Sequence, residues 1–94
     1  MNYYALFYHY APDYMERRPQ FRNDHLARAQ AAHERGELLL GGAFDPPDLA
    51  LLVFRAAGQA VVEEFVRTDP YVLNGLVVRW EVRPWTVVIG SAAP

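Results

Sequence analysis

A chain of 94 residues has room for one hydrophobic core, so a single domain over residues 1–94 is expected. Its formal net charge of -2, with no basic stripe interleaved with aromatics, argues against nucleic acid, and the lack of cysteine removes disulfide and thiolate chemistry. No run of about 18 apolar residues occurs, and MNYYALFYHY lacks the basic start and long apolar centre of a secretion signal, so a soluble, cytoplasmic protein without membrane contact is expected.

Tyr3 to Tyr10 reads as the first strand, being aromatic, short-aliphatic and too rich in tyrosine for a helix. One face carries Tyr4, Leu6, Tyr8 and Tyr10, the other Tyr3, Ala5, Phe7 and His9. Both faces are largely apolar, as in a central strand covered on two sides. Ala11 to Gln20, with Pro12, Pro19 and the pair Arg17-Arg18, reads as a loop.

Phe21 to Gly36 then reads as an amphipathic helix, with Phe21, Leu26, Ala29 and Ala32 at roughly helical spacing. Gly36 is a natural stop, because glycine takes a left-handed conformation without penalty. On these bounds His25 falls in the opening turns, where the positive end of the helix dipole favours a neutral ring.

Glu37 to Gly41 is a second strand, and Phe44 to Asp48 (FDPPD) is a turn, because two prolines cannot continue a ladder. Leu49 to Arg55 returns as a third strand. Gly58 to Arg67 reads as a second helix on the rhythm of Val61, Val62, Phe65 and Val66, against the modest helix propensity of valine. Thr68 to Gly75 ends in the turn pair Asn74-Gly75, and Leu76 to Arg83 is a fourth strand that Pro84 interrupts. Trp85 to Ile89 is expected to form a short edge strand or to reach a neighbouring subunit, with a flexible tail over residues 90–94.

Strand, helix, strand, strand, helix, strand is the split βαβ order of an α+β, ferredoxin-like sandwich. Two helices cover one face of a four-stranded sheet, and the other, around Ala5, Phe7 and Trp80 or their face-mates, is too apolar for water. A homodimer packed through that open face is therefore expected, the more so because a chain this small buries only about two thirds of its unfolded surface.

The segments YYALFYHYAPD, HLARAQAAHERGELLLGG and TDPYVLNGLV, taken together and in this order, resemble the YCII-related (YciI-like) family across nearly the whole chain. The resemblance implies a dimeric α/β barrel type of ferredoxin-like fold. It also implies an enzyme with a histidine–aspartate pair, one branch of the family being associated with dehydrochlorination of a hydroxylated aromatic compound. Carried over residue by residue, the histidine is His25 and the aspartate of the DPY segment is Asp69, followed by Pro70 and Tyr71. Pro19-Gln20-Phe21 offers no counterpart to the small polar residue that many relatives carry before the helix.

These residues define the expected chemistry. His25 brings an imidazole, the side chain type best suited to general acid–base work. Asp69 can orient the imidazole, or it can cap a turn whose first helical residue is Pro70. The start of the first helix and the end of the second are expected at opposite ends of the sheet, so Asp69 reaches His25 only by a fold-back or from a partner. His9, Tyr10 and Asp13, at the end of the first strand, and Tyr71 are candidate pocket residues; Arg17, Arg18 and Arg22 are candidates for an anion.

His25 and His33, eight positions apart, rise roughly 12 Å and cannot share one metal ion. No nucleotide or metal motif occurs, so no cofactor and no metal are expected. The leading expectation is a lyase or isomerase acting on a small cyclic or aromatic acid, phenol or lactone. The alternative is a noncatalytic dimeric module that binds a small ligand or joins an assembly, with His25 and Asp69 apart.

Overall fold

The computed structural model describes residues 1–90. Its elements follow in the order β1 (Asn2–Tyr10), α1 (Tyr14–Glu34), β2 (Leu38–Ala43), β3 (Leu49–Ala56), α2 (Gln59–Thr68), α3 (Pro70–Leu73) and β4 (Val77–Trp85). The strands form one antiparallel sheet in the order β2-β3-β1-β4, the ferredoxin-like arrangement that the alternation of elements predicts. No helix is long and apolar enough to cross a membrane among the described residues.

The period of two along β1 decides which side chains meet the helices. Tyr4, Leu6 and Tyr8 lie opposite Phe54, Leu52 and Ala50 of β3 and share the buried face with them. Ala32 of α1 and Val62, Phe65 and Val66 of α2 close over that face. Leu6, Val62 and Val66 are fully buried, each contributing about 1.5–3 kcal/mol of apolar transfer free energy. Burial of this i, i+3, i+4 stripe outweighs the few tenths of a kcal/mol that each valine costs a helix. Gly36 does take a positive φ, 79°, and lets Glu37 N–H return to the Ala32 carbonyl at 3.0 Å, which ends α1.

Four expectations are corrected. Residues 14–20 are helix rather than loop, so α1 runs for 21 residues with Pro19 inside it. The Tyr14 ring, 5% exposed, stacks on Tyr10 and anchors the added turns to the sheet, while proline at the sixth helical position removes only the N–H that would reach the Met15 carbonyl. His25 consequently lies eleven residues into the helix, roughly 16 Å from its start, beyond the reach of the terminal dipole.

Pro84 does not break β4. That strand is an edge of the sheet, where a missing donor is tolerated, and Pro84 pairs opposite Tyr4. The ladder continues to Trp85 opposite Tyr3; β1 then has almost no residues left to pair, and Thr86 to Ile89 add no strand. Beyond Gly90 the tail expected to be flexible lies outside the described residues.

Trp80 shares the face of Tyr8, its partner across the sheet, and so belongs to the helix side rather than the open side. A bulge between His9 and Tyr10 in the β1–β4 ladder also returns Val77 to the buried face. The open face carries Ala5, Phe7, Leu51 and Val53 at its centre and Arg79, Glu81 and Arg83 along β4.

The fourth correction concerns topology. Both β3 and β4 run antiparallel to β1, so α1 starts, and α2 ends, at the same end of the sheet. Ala11 N–H donates to the Leu76 carbonyl at 2.8 Å and ties the two crossings together there. No fold-back and no second subunit is needed to bring Asp69 toward α1.

Candidate functional site

Asp69 is placed by its own local chemistry. It ends α2 in an extended conformation (φ -73°, ψ 124°) and caps the single turn α3, with Pro70 at the first helical position. Its Oδ1 accepts the Tyr71 N–H at 3.0 Å, satisfying one of the orphan donors of that turn. Leu76 N–H then reaches the Tyr71 carbonyl at 2.9 Å across Gly75, whose φ of 75° only glycine adopts without strain. The cap fixes the carboxylate while leaving lone pairs directed elsewhere.

Those lone pairs meet two side chains. Tyr8 Oη donates to Asp69 Oδ2 at 2.8 Å from the buried face of β1. His25 Nδ1, on α1, lies 2.9 Å from Oδ1 and 3.0 Å from Oδ2. Asp69 is 0% exposed and the His25 side chain 12%. A buried carboxylate is tolerated only when its lone pairs are taken up, and three donors do so here. Because an ionised carboxylate only accepts, the Nδ1 facing it carries the hydrogen and Nε2 carries the lone pair of the neutral ring. Nε2 has no protein hydrogen-bond partner among the described residues.

Aromatic rings hold this arrangement. Tyr71 stacks on His25 with centroids 3.9 Å apart and planes 6° apart. Tyr10 and Tyr14 stack at 3.7 Å, and the Tyr71 ring meets both edge-on, at 6.4 and 5.7 Å. The Arg18 guanidinium lies 5.8 Å from the Tyr14 ring centre. One turn beyond His25, Arg28 Nη2 donates to Thr68 Oγ1, fastening α1 to the residue before Asp69.

The phenols are pushed away from ionisation. Burial raises Tyr8 far above the ordinary tyrosine range, and the Asp69 charge raises it further. Burial, then the neighbouring Tyr14, raises Tyr10. Burial and Tyr14 likewise raise Tyr71, although Arg18 and Arg22 pull it the other way. All three remain neutral hydrogen-bond donors at any ordinary working pH.

A cavity of about 830 Å³ runs between α1 and the β2–β3 side of the sheet, with His25, Tyr71, Tyr10, Tyr14, Arg18 and Arg22 among its lining. Five of the residues expected to form a site thus line one space, and Asp69 stands directly behind it. Three do not. His9 is on the open face of the sheet, where Arg79 Nη2 lies 2.9 Å from its Nε2, because the period of two sends it away from Tyr8 and Tyr10. Asp13 precedes α1 exposed and makes no cap bond. Arg17 donates to the Asn74 carbonyl at 2.6 Å and secures the turn after α3.

Tyr14 and His33 also line the space without a role foreseen from the sequence, and Tyr8, one of the tyrosines the sequence offers for stacking on an aromatic ligand, instead holds Asp69. Tyr8 was legible as a face-mate of Tyr10; Tyr14 was hidden by reading its segment as a loop. No group of three His, Cys, Asp or Glu side chains converges to hold a metal ion among the described residues.

No curated protein matches the chain. A solved structure of similar fold is the 5-chloro-2-hydroxyhydroquinone dehydrochlorinase TftG from Burkholderia phenoliruptrix AC1100, in complex with 2,5-dihydroxybenzoquinone. The TM-score is 0.76 at 21% identity, over 88% of this chain and 92% of that one. The family model of the YCII-related domain matches residues 1–86, and the chain belongs to that family.

Proposed function

We propose that this protein is a small lyase or isomerase that moves a proton on a hydroxylated aromatic compound, a cyclic acid or a lactone, with His25 as the general base and acid. The observation that carries the reading is the buried Tyr8–Asp69–His25 chain, which ends in an imidazole that lines a cavity and whose Nε2 has no protein partner among the described residues. Nε2 takes a proton from the substrate, and the Asp69 charge stabilises the imidazolium that results. In an isomerisation the same proton returns to a different carbon or oxygen. In an elimination from a cyclic acid or lactone the electron pair of the broken C–H bond becomes a new C=C bond. In a halogenated hydroquinone the carbon bearing X first gains a proton as one O–H becomes C=O. Next, the pair of a second O–H bond forms C=O as a ring double bond shifts to that carbon. The adjacent C–X bond then breaks with its electrons on X, so that HX is lost overall and no oxidant is required.

Arg18 and Arg22 face the negative charge of the substrate, and the buried Tyr71 ring, stacked behind the imidazole, holds His25 in place against it. A positioned acid–base group of this kind contributes about 10²–10⁴-fold in rate. Two copies associate through the open face, where Ala5, Phe7, Leu51 and Val53 bury one another and the alternating charges of Arg79, Glu81 and Arg83 pair across a two-fold axis.

The test is a substrate screen on the unaltered protein, His25→Ala and Asp69→Asn. Halogenated hydroquinones head the panel, because the similar dehydrochlorinase acts on one, followed by phenolic acids and unsaturated lactones. Turnover that falls at least 10²-fold in both variants is expected. Equal activity in all three proteins refutes the pair, and saturable binding without turnover of any compound replaces the enzyme with a binding module.

A further inference from the structure

The cavity is longer than its reacting end requires. His25 and His33 both line it from the same helix, eight positions and roughly 12 Å apart along the axis. The lining between them includes Ala50 and Leu52 of β3, both buried, with Leu26, 43% exposed, and Gln30 on the helix wall. An exposed leucine over an aliphatic floor is a surface that water covers poorly and a hydrocarbon covers well.

The far end is chemically defined. His33 Nδ1 lies 2.7 Å from the Leu38 carbonyl oxygen, which can only accept, so Nδ1 carries a hydrogen. The remaining nitrogen, Nε2, accepts when the ring is neutral and donates when it is charged. The slot therefore presents a proton-moving end, a middle in which Leu26 stands over Ala50 and Leu52 beside the Gln30 amide, and a second imidazole whose tautomer the backbone fixes.

We infer that the substrate is elongated: a reacting ring against His25 carries an aliphatic tail along Leu26 above Ala50 and Leu52, and a polar tail end hydrogen-bonds His33 Nε2. This rests on the functional reading above for the placement of the reacting ring. It differs from a bare single-ring substrate in making the tail a determinant of recognition, with His33 as the specificity residue.

The probes are phenol, a para-hydroxyphenyl propanoate and a para-hydroxyphenyl pentanoate, titrated against the whole protein by calorimetry and by the NMR signals of the histidine rings. Measured where the His33 ring is protonated, so that Nε2–H donates to the carboxylate, affinity is expected to rise at least tenfold from phenol to the pentanoate, through buried methylenes and that one charge-assisted bond. The His33 ring signals shift with the pentanoate and not with phenol. In His33→Asn the amide nitrogen reproduces the donor to the Leu38 carbonyl but removes Nε2, and the gain from the tail is expected to shrink to threefold or less. An affinity independent of tail length, an unmoved His33 signal or an undiminished gain in His33→Asn overturns the inference. The readout is equilibrium binding, so the two readings separate. A tail-dependent gain with turnover indifferent to His25→Ala leaves the slot standing without the catalysis. Loss of turnover in His25→Ala without a tail-dependent gain removes the slot alone.

Discussion

Tyr8→Phe tests the buried chain at its innermost bond. The substitution deletes one oxygen from a side chain that is 0% exposed and retains the ring, including its edge-on contact with Tyr10 at 6.5 Å. What is lost is the hydrogen bond to Asp69 Oδ2 at 2.8 Å, a neutral donor on a charged acceptor. Such bonds contribute about 1.5–3 kcal/mol, and here no water reaches the vacated lone pair, so a destabilisation of about 2 kcal/mol is expected. For a domain of this size that corresponds to a Tm lower by roughly 8–16 °C.

The pH dependence carries a second signature. Burial and Asp69 raise the Tyr8 phenol above its unfolded value of about 10, so the folded state resists its ionisation. The stability this supplies is fully present below about pH 10 and erodes as pH rises beyond it. Thermal unfolding between pH 7 and 11, followed by circular dichroism, should show the unaltered protein losing its advantage over Tyr8→Phe at the alkaline end. A loss under 0.5 kcal/mol at pH 7, or parallel curves across the range, would refute the argument that this hydroxyl carries part of the burial of Asp69.

Two further outcomes are expected. The double substitution Arg18→Gln and Arg22→Gln should raise KM for an anionic substrate about tenfold, the size of one charge-assisted contact, with far less effect on a neutral analogue; steady-state kinetics on the pair decides it. Phe7→Glu places a like charge from each copy at the centre of the proposed sheet-to-sheet interface; on that proposal sedimentation should report a dimer for the unaltered protein and a monomer for the variant, and an equal sedimentation coefficient for the two excludes that face.

What the residues disclosed in advance depended on how local each signal was. The stripe of Val62, Phe65 and Val66 is a local pattern that the structure buries, whereas the alternation through Tyr3 to Tyr10 sorted residues into two apolar faces without saying that Tyr4, Leu6 and Tyr8 meet the helices. Gly36 and the cap formed by Asp69 and Pro70 are short-range chemistry and appear where the residue types put them. Tyr14 to Gln20 was misread because the helix penalty of Pro19 is written in the chain, whereas the stacking of Tyr14 on Tyr10 that offsets it is a tertiary contact. The partner of His25 was legible only through the family resemblance, since nothing in the spacing of positions 25 and 69 encodes a 2.9 Å contact. His9 was misplaced by reasoning about the end of the strand and neglecting which face its parity selects.

Asp69 distinguishes a site from a scaffold. As a cap it needs only Oδ1, which accepts from Tyr71, and asparagine would serve that turn about equally well. A carboxylate at 0% exposure instead bears a desolvation cost of several kcal/mol that a structural cap does not require. In Asp69→Asn the charge and that cost both disappear, while one of Tyr8 and His25 then faces an N–H where it faced an acceptor. These terms oppose one another, so the stability of Asp69→Asn is expected to stay within about 1 kcal/mol of the unaltered protein. With Oδ1 kept as the acceptor of the cap, Tyr8 meets the new N–H through a lone pair of its hydroxyl and His25 keeps its Nδ1 hydrogen on a neutral amide oxygen, so the charge that stabilises the imidazolium is lost. Activity should therefore fall 10²-fold or more while the Tm moves by only a few degrees. Denaturation and rate measured on the same preparation separate the two accounts: a rate loss that merely follows unfolding would mean that Asp69 only holds the turn together.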